Sequence, residues 1–521
     1  MRTTVSTAGR SRWAIGVGPG VVGAIAVFAV AMVVYLRTLL PGPSVGDWAE
    51  MQFIPAQLGI PHPTGYPLYV LVGKAFSLLP VGSLAFRAEL LSAVAAAAAA
   101  GTSVLIAVRL NVRPLIATSA GLSLAGTGTL WLEATYAEMN GLHLLLVAAV
   151  IHRAFVWRAE RRDRDLRLGG LLAGLAIANH LLALTVIPFI VLFVIADARS
   201  RLRERPPLFV QTLLMALVGV SLYLFIPLRA LAGPSSIYAQ FLTWDGFWAF
   251  VSGAEFRGDM HFASPESVGR VWHAIPDVAA QLVARSNVVF VVGGLLGGVI
   301  QLLRDRWSGL LLALVAALSV FLYANYLGDL DQYLLSAWLV LAIWLAVGVE
   351  AVIAWLEPRI PRLAPTRILA ILTLILPVVI VANNWATYDQ SGNHEGERFA
   401  QTVLDDLPPN AVLLTYWDAL TNLSYVHCIE GHRPDVSLRA YDVAARVTCD
   451  PVTESLEEVA RKRPLFALFA VDSDLDPVRR SFDLIAGPRL PLPYGRRNLD
   501  HAGNLYRLVP KEGAEASAGK S

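Results

Sequence analysis

The residues of this chain best suited by type and spacing to do chemistry lie in one block. It reads Gly46-Asp47-Trp48-Ala49-Glu50, followed by Leu58-Gly59-Ile60-Pro61-His62-Pro63-Thr64-Gly65-Tyr66-Pro67. If the first part is helical, Asp47 and Glu50 stand at i and i+3 and their carboxylates share a face. The Pro/Gly-rich stretch that follows is stiff and cannot be a plain helix. A stiff loop can hold a carboxylate still, which general-base catalysis requires. The plainer alternative is an ordinary connecting loop.

The elements that position this block belong to a membrane. Of 521 residues, 55% are hydrophobic and only 16% charged, and the mean hydropathy is +0.55. A soluble domain is more polar than this, and here the excess sits in long uncharged runs. The net charge of +2 does not suggest nucleic acid as a partner. Residues 14–36 form an apolar run long enough to cross a bilayer, after Arg2, Arg10 and Arg12. Ala29-Val30-Ala31 within it resembles a signal-peptide cleavage site. The run continues apolar past that point, and it reads as the first span. Further runs lie near 88–108, 114–131, 140–157, 168–197, 208–228, 287–303, 308–326, 332–355 and 367–385. The run 168–197 is too long for one straight span, and Asn179-His180 predicts a hairpin of two short helices there. The expectation is an α-helical polytopic membrane protein of about eleven spans.

Arginine orients the spans. The connectors 109–113, 158–167, 198–207, 304–307 and 356–367 hold 2, 5, 4, 2 and 3 Lys/Arg, whereas 132–139 and 327–331 hold none. The positive-inside rule then places the N-terminus in the cytoplasm and, with an odd number of spans, the C-terminus outside. The segment 37–86 reads as one or two interfacial helices on the outer surface, with Lys74 snorkelling. The loop 230–286 also falls outside. Asp47, Glu50, Glu133, Glu138, His180, Asp245, Glu255, Asp259, Asp329 and Asp331 all then gather on the outer face, as a site at that interface would require. Taken singly, each could be a solvated loop residue.

Beyond about residue 388 the periodicity changes. The pattern gives helices over 395–407, 418–430 and 452–462 and strands over 411–416, 436–440 and 465–470. This is a small extracytoplasmic α/β domain, 388–510, beside a membrane part, 1–387. No Gly-rich phosphate fingerprint follows its strands. Cys428 and Cys449, the two cysteines of the chain, are expected to form a disulfide worth ~3 kcal/mol outside the cytoplasm. The tail 511–521 reads as disordered.

The first block resembles the signature of a family of multispan membrane proteins. The family includes the eukaryotic endoplasmic-reticulum O-mannosyltransferase acting on plexin-type receptor domains. Its pattern is close to G-D-S-G-E-L, then L-G-x-x-H-P-P-G-Y-P-L. Weaker matches follow: Thr135–Asn140 to V-Y-x-L-N, Gly174–His180 to G-L-x-x-x-N-H, Tyr223–Arg229 to Y-x-x-L-P-x-R, and Asn325-Tyr326 with Asp329 and Asp331 to N-Y-x-x-x-D. A block over 429–436 also matches, so the likeness covers about 30–440. Trp48 departs from the pattern where a small residue is usual, and Thr64 where proline is. These departures leave donor and acceptor open.

The resemblance implies a GT-C type glycosyltransferase working on the outer face with a polyprenyl-phosphate sugar, plausibly mannose. It maps the family's first-loop carboxylate onto Asp47. Asp47 is then the candidate base, with Glu50 orienting either Asp47 or the acceptor. Arg229, Arg87, His180 and His62 are candidates for donor phosphate or sugar, and Glu138, Asp329 and Asp331 for support. The acceptor is a hydroxyl of protein Ser/Thr or of an envelope glycan, and the location is the cytoplasmic membrane. No metal is assigned, because the acidic residues lack ligand spacing, although a divalent ion remains an open alternative. The competing reading is a transporter or flippase of lipid-linked sugars, whose usual internal repeats are missing from this sequence. A third reading is a membrane scaffold whose outer domain binds a partner.

Overall fold

A computed structural model describes residues 18–511, except 235, 239–242, 328–330, 360–367, 369–370, 442–446, 450–451, 453 and 495–497. The expected disordered tail therefore lies outside the described residues, apart from residue 511.

Helix α1 (Pro19–Thr38) leads into an extended turn and the short α2 (Gly46–Phe53). Then come α3 (Pro67–Ser77), α4 (Leu84–Arg109), α5 (Pro114–Ala125), α6 (Gly128–Thr135) and α7 (Asn140–Glu160). Next are α8 (Asp163–Asn179), α9 (Ala183–Glu204), α10 (Pro206–Val220), α11 (Phe225–Leu231), α12 (Trp244–Val251) and α13 (Ser267–Ala284). The bundle continues with α14 (Val288–Arg304), α15 (Arg306–Asn325), α16 (Leu335–Leu356) and the helix Ile375–Tyr388. Among the described residues, six segments are long and apolar enough to cross a membrane, or eight if two bent pairs each count as a span.

Small residues let these helices close up. The alanine-rich stretch 93–100 of α4 is almost wholly buried among its neighbours. At Gly297 of α14 a Cβ would collide with the backbone of Trp344 in α16, so the two axes meet where only glycine fits.

The expected break at Asn179-His180 is present: α8 ends at Asn179, His180 is extended, and α9 starts at Ala183. The run 114–131 is not the single straight span expected. It breaks after Ala125, and α5 and α6 meet at 64°. Thr127 is extended there and its hydroxyl donates to the Leu124 carbonyl, a local bond that competes with the helix. Lys74 does not snorkel: its Nζ donates to the Ala56 carbonyl at 2.6 Å.

From Glu395 the chain builds a five-stranded sheet of order β2-β1-β3-β5-β4. Strands β1 (Val412–Thr415), β2 (Ser437–Ala440) and β3 (Leu465–Leu468) are parallel, with Val412 opposite Ser437 and Leu465. The sequence reading found these three. It missed the long antiparallel pair β4 (Phe482–Tyr494) and β5 (Asn498–Pro510), because Pro488, Pro491 and Pro493 in β4 argue against a strand. Cys428 and Cys449 are disulfide-bonded, with Cα atoms 5.6 Å apart.

Candidate active site

The site is built around α2. Gly46 opens the helix at φ +58°, in the left-handed region that favours glycine, and a Cβ there would meet Asp418. Asp47 lies in the first turn, where the helix dipole favours a carboxylate. Two further contacts fasten α2. Gln52 donates to Glu89 of α4 at 2.7 Å and accepts the Ser44 N–H at 2.9 Å. On the other side the helix Trp417–Ser424 of the sheet domain grips its start. There Thr421 Oγ1 donates to the Gly46 carbonyl at 2.9 Å and Asn422 to the Ser44 carbonyl at 2.5 Å.

The two carboxylates of the motif have different surroundings. Glu50 is fully buried, and His62 takes both its oxygens, the backbone N–H at 2.9 Å and ring Nδ1 at 2.5 Å. Asp47 is 39% exposed and lies 3.8 Å from the same Nδ1. The indole N–H of Trp417 donates to Asp47 Oδ1 at 2.8 Å. Tyr66 OH stands 3.0 Å from both His62 Nε2 and the Pro63 carbonyl. With its proton on the carbonyl, the hydroxyl accepts from Nε2, an arrangement that suits an imidazolium whose Nδ1 faces Glu50. Burial alone would lower the pKa of His62. The Asp47 and Glu50 carboxylates outweigh it and push the pKa up to about 9. Burial pushes the Glu50 carboxyl up, and His62 draws it back.

The loop carrying His62 is pinned to residues far along the chain. The Ile60 N–H donates to the Ser236 carbonyl and the Tyr238 N–H to the Ile60 carbonyl, at 3.1 and 2.9 Å. Arg229, expected at the donor phosphate, donates instead to the Leu58 and Gln57 carbonyls at 2.8 and 3.5 Å. Arg87 donates to the carbonyls of Ser77, Leu79 and Ser83 and so holds the turn before α4. His180 lies behind the site, its ring 5.4 Å from that of Tyr66, and it accepts the Leu182 N–H through Nδ1. Glu138 is buried near Asn140, and its charge acts on both His62 and Tyr66. Asp331 pairs with Arg285 at 2.7 Å, while Asp329 lies outside the described residues.

Several residues here were not anticipated from the sequence. Tyr66 sat inside the motif unremarked. Arg285 and Trp417 carry no local pattern, and Trp417 is 370 positions from its partner.

Oxygens of Asp47 and Glu50 and a ring nitrogen of His62 lie within 4.8 Å of one another, a donor set that could hold a divalent ion. In the geometry described, a proton occupies the Nδ1–Glu50 contact, and a metal would have to displace it. What the arrangement can do is accept a proton at an exposed carboxylate that a buried cation and an indole N–H hold in place.

These features define a multispan helical protein of the GT-C fold, with a polar site at the junction of helical bundle and sheet domain. The ArnT structure from Cupriavidus metallidurans bound to undecaprenyl phosphate superposes with a TM-score of 0.60 at 15% identity, covering 93% of this chain and 97% of that one. Its apo form gives 0.61 at 14% identity, covering 93% and 98%. Residues 47–203 match the family described as the Protein O-mannosyl-transferase TMEM260 N-terminal domain, so the likeness read from the first block is shown. Among curated proteins, the Protein O-mannosyl-transferase TMEM260 of Mus musculus is 26% identical over 461 residues, which are 82% of this chain and 64% of that protein. The Dictyostelium discoideum protein of the same description is 22% identical, over 83% and 59%. The chain thus spans about three fifths of the length of these relatives.

Proposed function

We propose that this chain is an inverting glycosyltransferase that moves a sugar from a polyprenyl-phosphate donor to a hydroxyl acceptor. The observation that carries the reading is the division of labour in the motif: Glu50 is consumed by His62, while Asp47 is open to solvent and fixed by Trp417. Asp47 takes the acceptor proton as the acceptor oxygen bonds to the anomeric carbon and the sugar–phosphate bond breaks. The doubly protonated His62 supplies positive charge beside the developing phosphate. Glu50 keeps His62 charged and oriented, and Arg229 keeps the loop in place. The curated relatives are O-mannosyltransferases by description, which favours mannose as the sugar and a protein Ser/Thr hydroxyl as the acceptor.

On this reading residues 1–387 form the membrane part in the cytoplasmic membrane, and 388–510 form an extracytoplasmic domain. The segment connecting the spans agrees with that orientation. The arginine-free turn 132–139 is at the end of the bundle where α2 lies, with Tyr136 stacked on Trp48.

The test is turnover in detergent with a labelled lipid donor. Release of polyprenyl phosphate that depends on added acceptor supports transfer. A protein that moves the lipid across sealed vesicles but releases none in detergent is a transporter.

A further inference from the structure

A polar cavity lies at the far end of the bundle from the site. It measures about 500 Å³, and its lining includes Arg109, Arg158, Arg304, Gln301, Asp305 and Glu350. Helix α4 starts beside the sheet domain, where the Ala85 N–H donates to Tyr425 OH, and ends at Arg109. At 1.5 Å per residue its 26 residues place the cavity about 39 Å away, roughly a bilayer core from Asp47. The arginine-rich connectors 109–113, 158–167 and 304–307 meet here.

The cavity separates two helix pairs. Arg109 and Arg158 come from α4 and α7, while Arg304 and Glu350 come from α14 and α16. Its acidic groups are already neutralised. Asp305 is held by Arg158 at 2.5 Å, and Glu350 by Arg113 at 3.2 Å, while Arg158 also pairs with Asp197 at 2.9 Å. Arg109 is paired with Glu160 at 2.7 Å. Arg304 is exposed and makes no ion pair among the described residues. One guanidinium charge is therefore uncompensated in a concave site with two more within reach, and the walls between the polar groups, such as Phe155 and Val347, are apolar.

We propose that this cavity binds a phosphate ester, held by Arg304 together with Arg109 and Arg158, and that the ester bridges the two helix pairs. Guanidinium forks suit phosphate oxygens. Basic pockets between spanning helices at this depth accept the heads of anionic lipids, and the volume is in the range of ligand sites.

The full chain in detergent is melted with increasing dioctanoyl phosphatidylglycerol and, separately, with glycerol 3-phosphate. The readout is melting temperature and not transfer, so the result is independent of the proposed reaction. The wild type is expected to rise saturably with the lipid. Arg304→Gln should need about tenfold more ligand for the same shift, because a charge-assisted contact is lost. Arg304→Lys should fall between them. Arg306→Gln, two residues away and outside the cavity, should match the wild type. A rise with glycerol 3-phosphate at similar concentration supports the phosphate site and shows that the acyl chains are dispensable. A rise with the lipid alone supports a lipid head. The proposal is overturned if neither ligand shifts the melt, or if Arg304→Gln and Arg306→Gln respond alike.

Discussion

Replacing Asp47 with asparagine separates shape from proton transfer. The amide keeps an oxygen where Trp417 donates at 2.8 Å, so the start of α2 should stay in place. Two things are lost. The proposed base disappears, and loss of a general base typically costs ~10²–10⁴ in rate. The negative charge 3.8 Å from His62 Nδ1 also disappears. At an effective dielectric of about 20 that charge is worth about 4 kcal/mol to the imidazolium, and solvent at the half-exposed carboxylate reduces it to about 2 kcal/mol. The assay is release of polyprenyl phosphate from a labelled donor, with donor affinity measured on the same preparation. Turnover should fall at least a hundredfold while the donor still binds. A fall of less than about tenfold with binding intact would refute Asp47 as the base. Glu50→Gln is the companion test. Glu50 has both oxygens on His62 and cannot reach an acceptor, so its loss should be the milder in turnover and the larger in melting temperature, about 3 kcal/mol for a broken buried pair. The opposite order of rates in folded protein would mean the two roles are exchanged.

Other outcomes follow from the same contacts. The pKa of His62 is raised to about 9, above the usual ~6.5. Its stabilising contribution, about 3 kcal/mol, is complete below pH ~6.5 and is lost as pH rises through 9. Melting temperature should therefore decline across that window in the wild type and not in His62→Gln, and parallel curves would count against the imidazolium. Arg229→Lys loses the forked hold on the Leu58 and Gln57 carbonyls, worth about 1 kcal/mol. Turnover should drop about fivefold with the donor KM unchanged, whereas a raised KM would return Arg229 to the donor phosphate.

How far the sequence could be read depended on how local each signal was. The i, i+3 pairing of Asp47 and Glu50 was visible, because helical geometry alone dictates it. Their unequal burial was not, since it depends on where the stiff loop folds back and on His62 taking Glu50. Apolar runs located the helices, and Asn179-His180 marked a true break. The bend at Gly126-Thr127-Gly128 interrupts a run that hydropathy left whole, because a window average does not register local backbone breaks. The span-end arginines looked free for phosphate, but Arg229 and Arg87 are absorbed by carbonyls that only tertiary structure brings near. Trp417 could not be found at all, because nothing near it in sequence refers to Asp47.

The Trp417–Asp47 contact also bears on timing. Translation at ~5–20 residues per second spreads the 370 positions between these partners over roughly 20–70 s. Throughout that interval the carboxylate is already made while the helix that orients it has yet to be synthesised. A partly synthesised chain therefore holds an unfinished site, and the arrangement is complete only once the sheet domain has folded and closed on the first turn of α2.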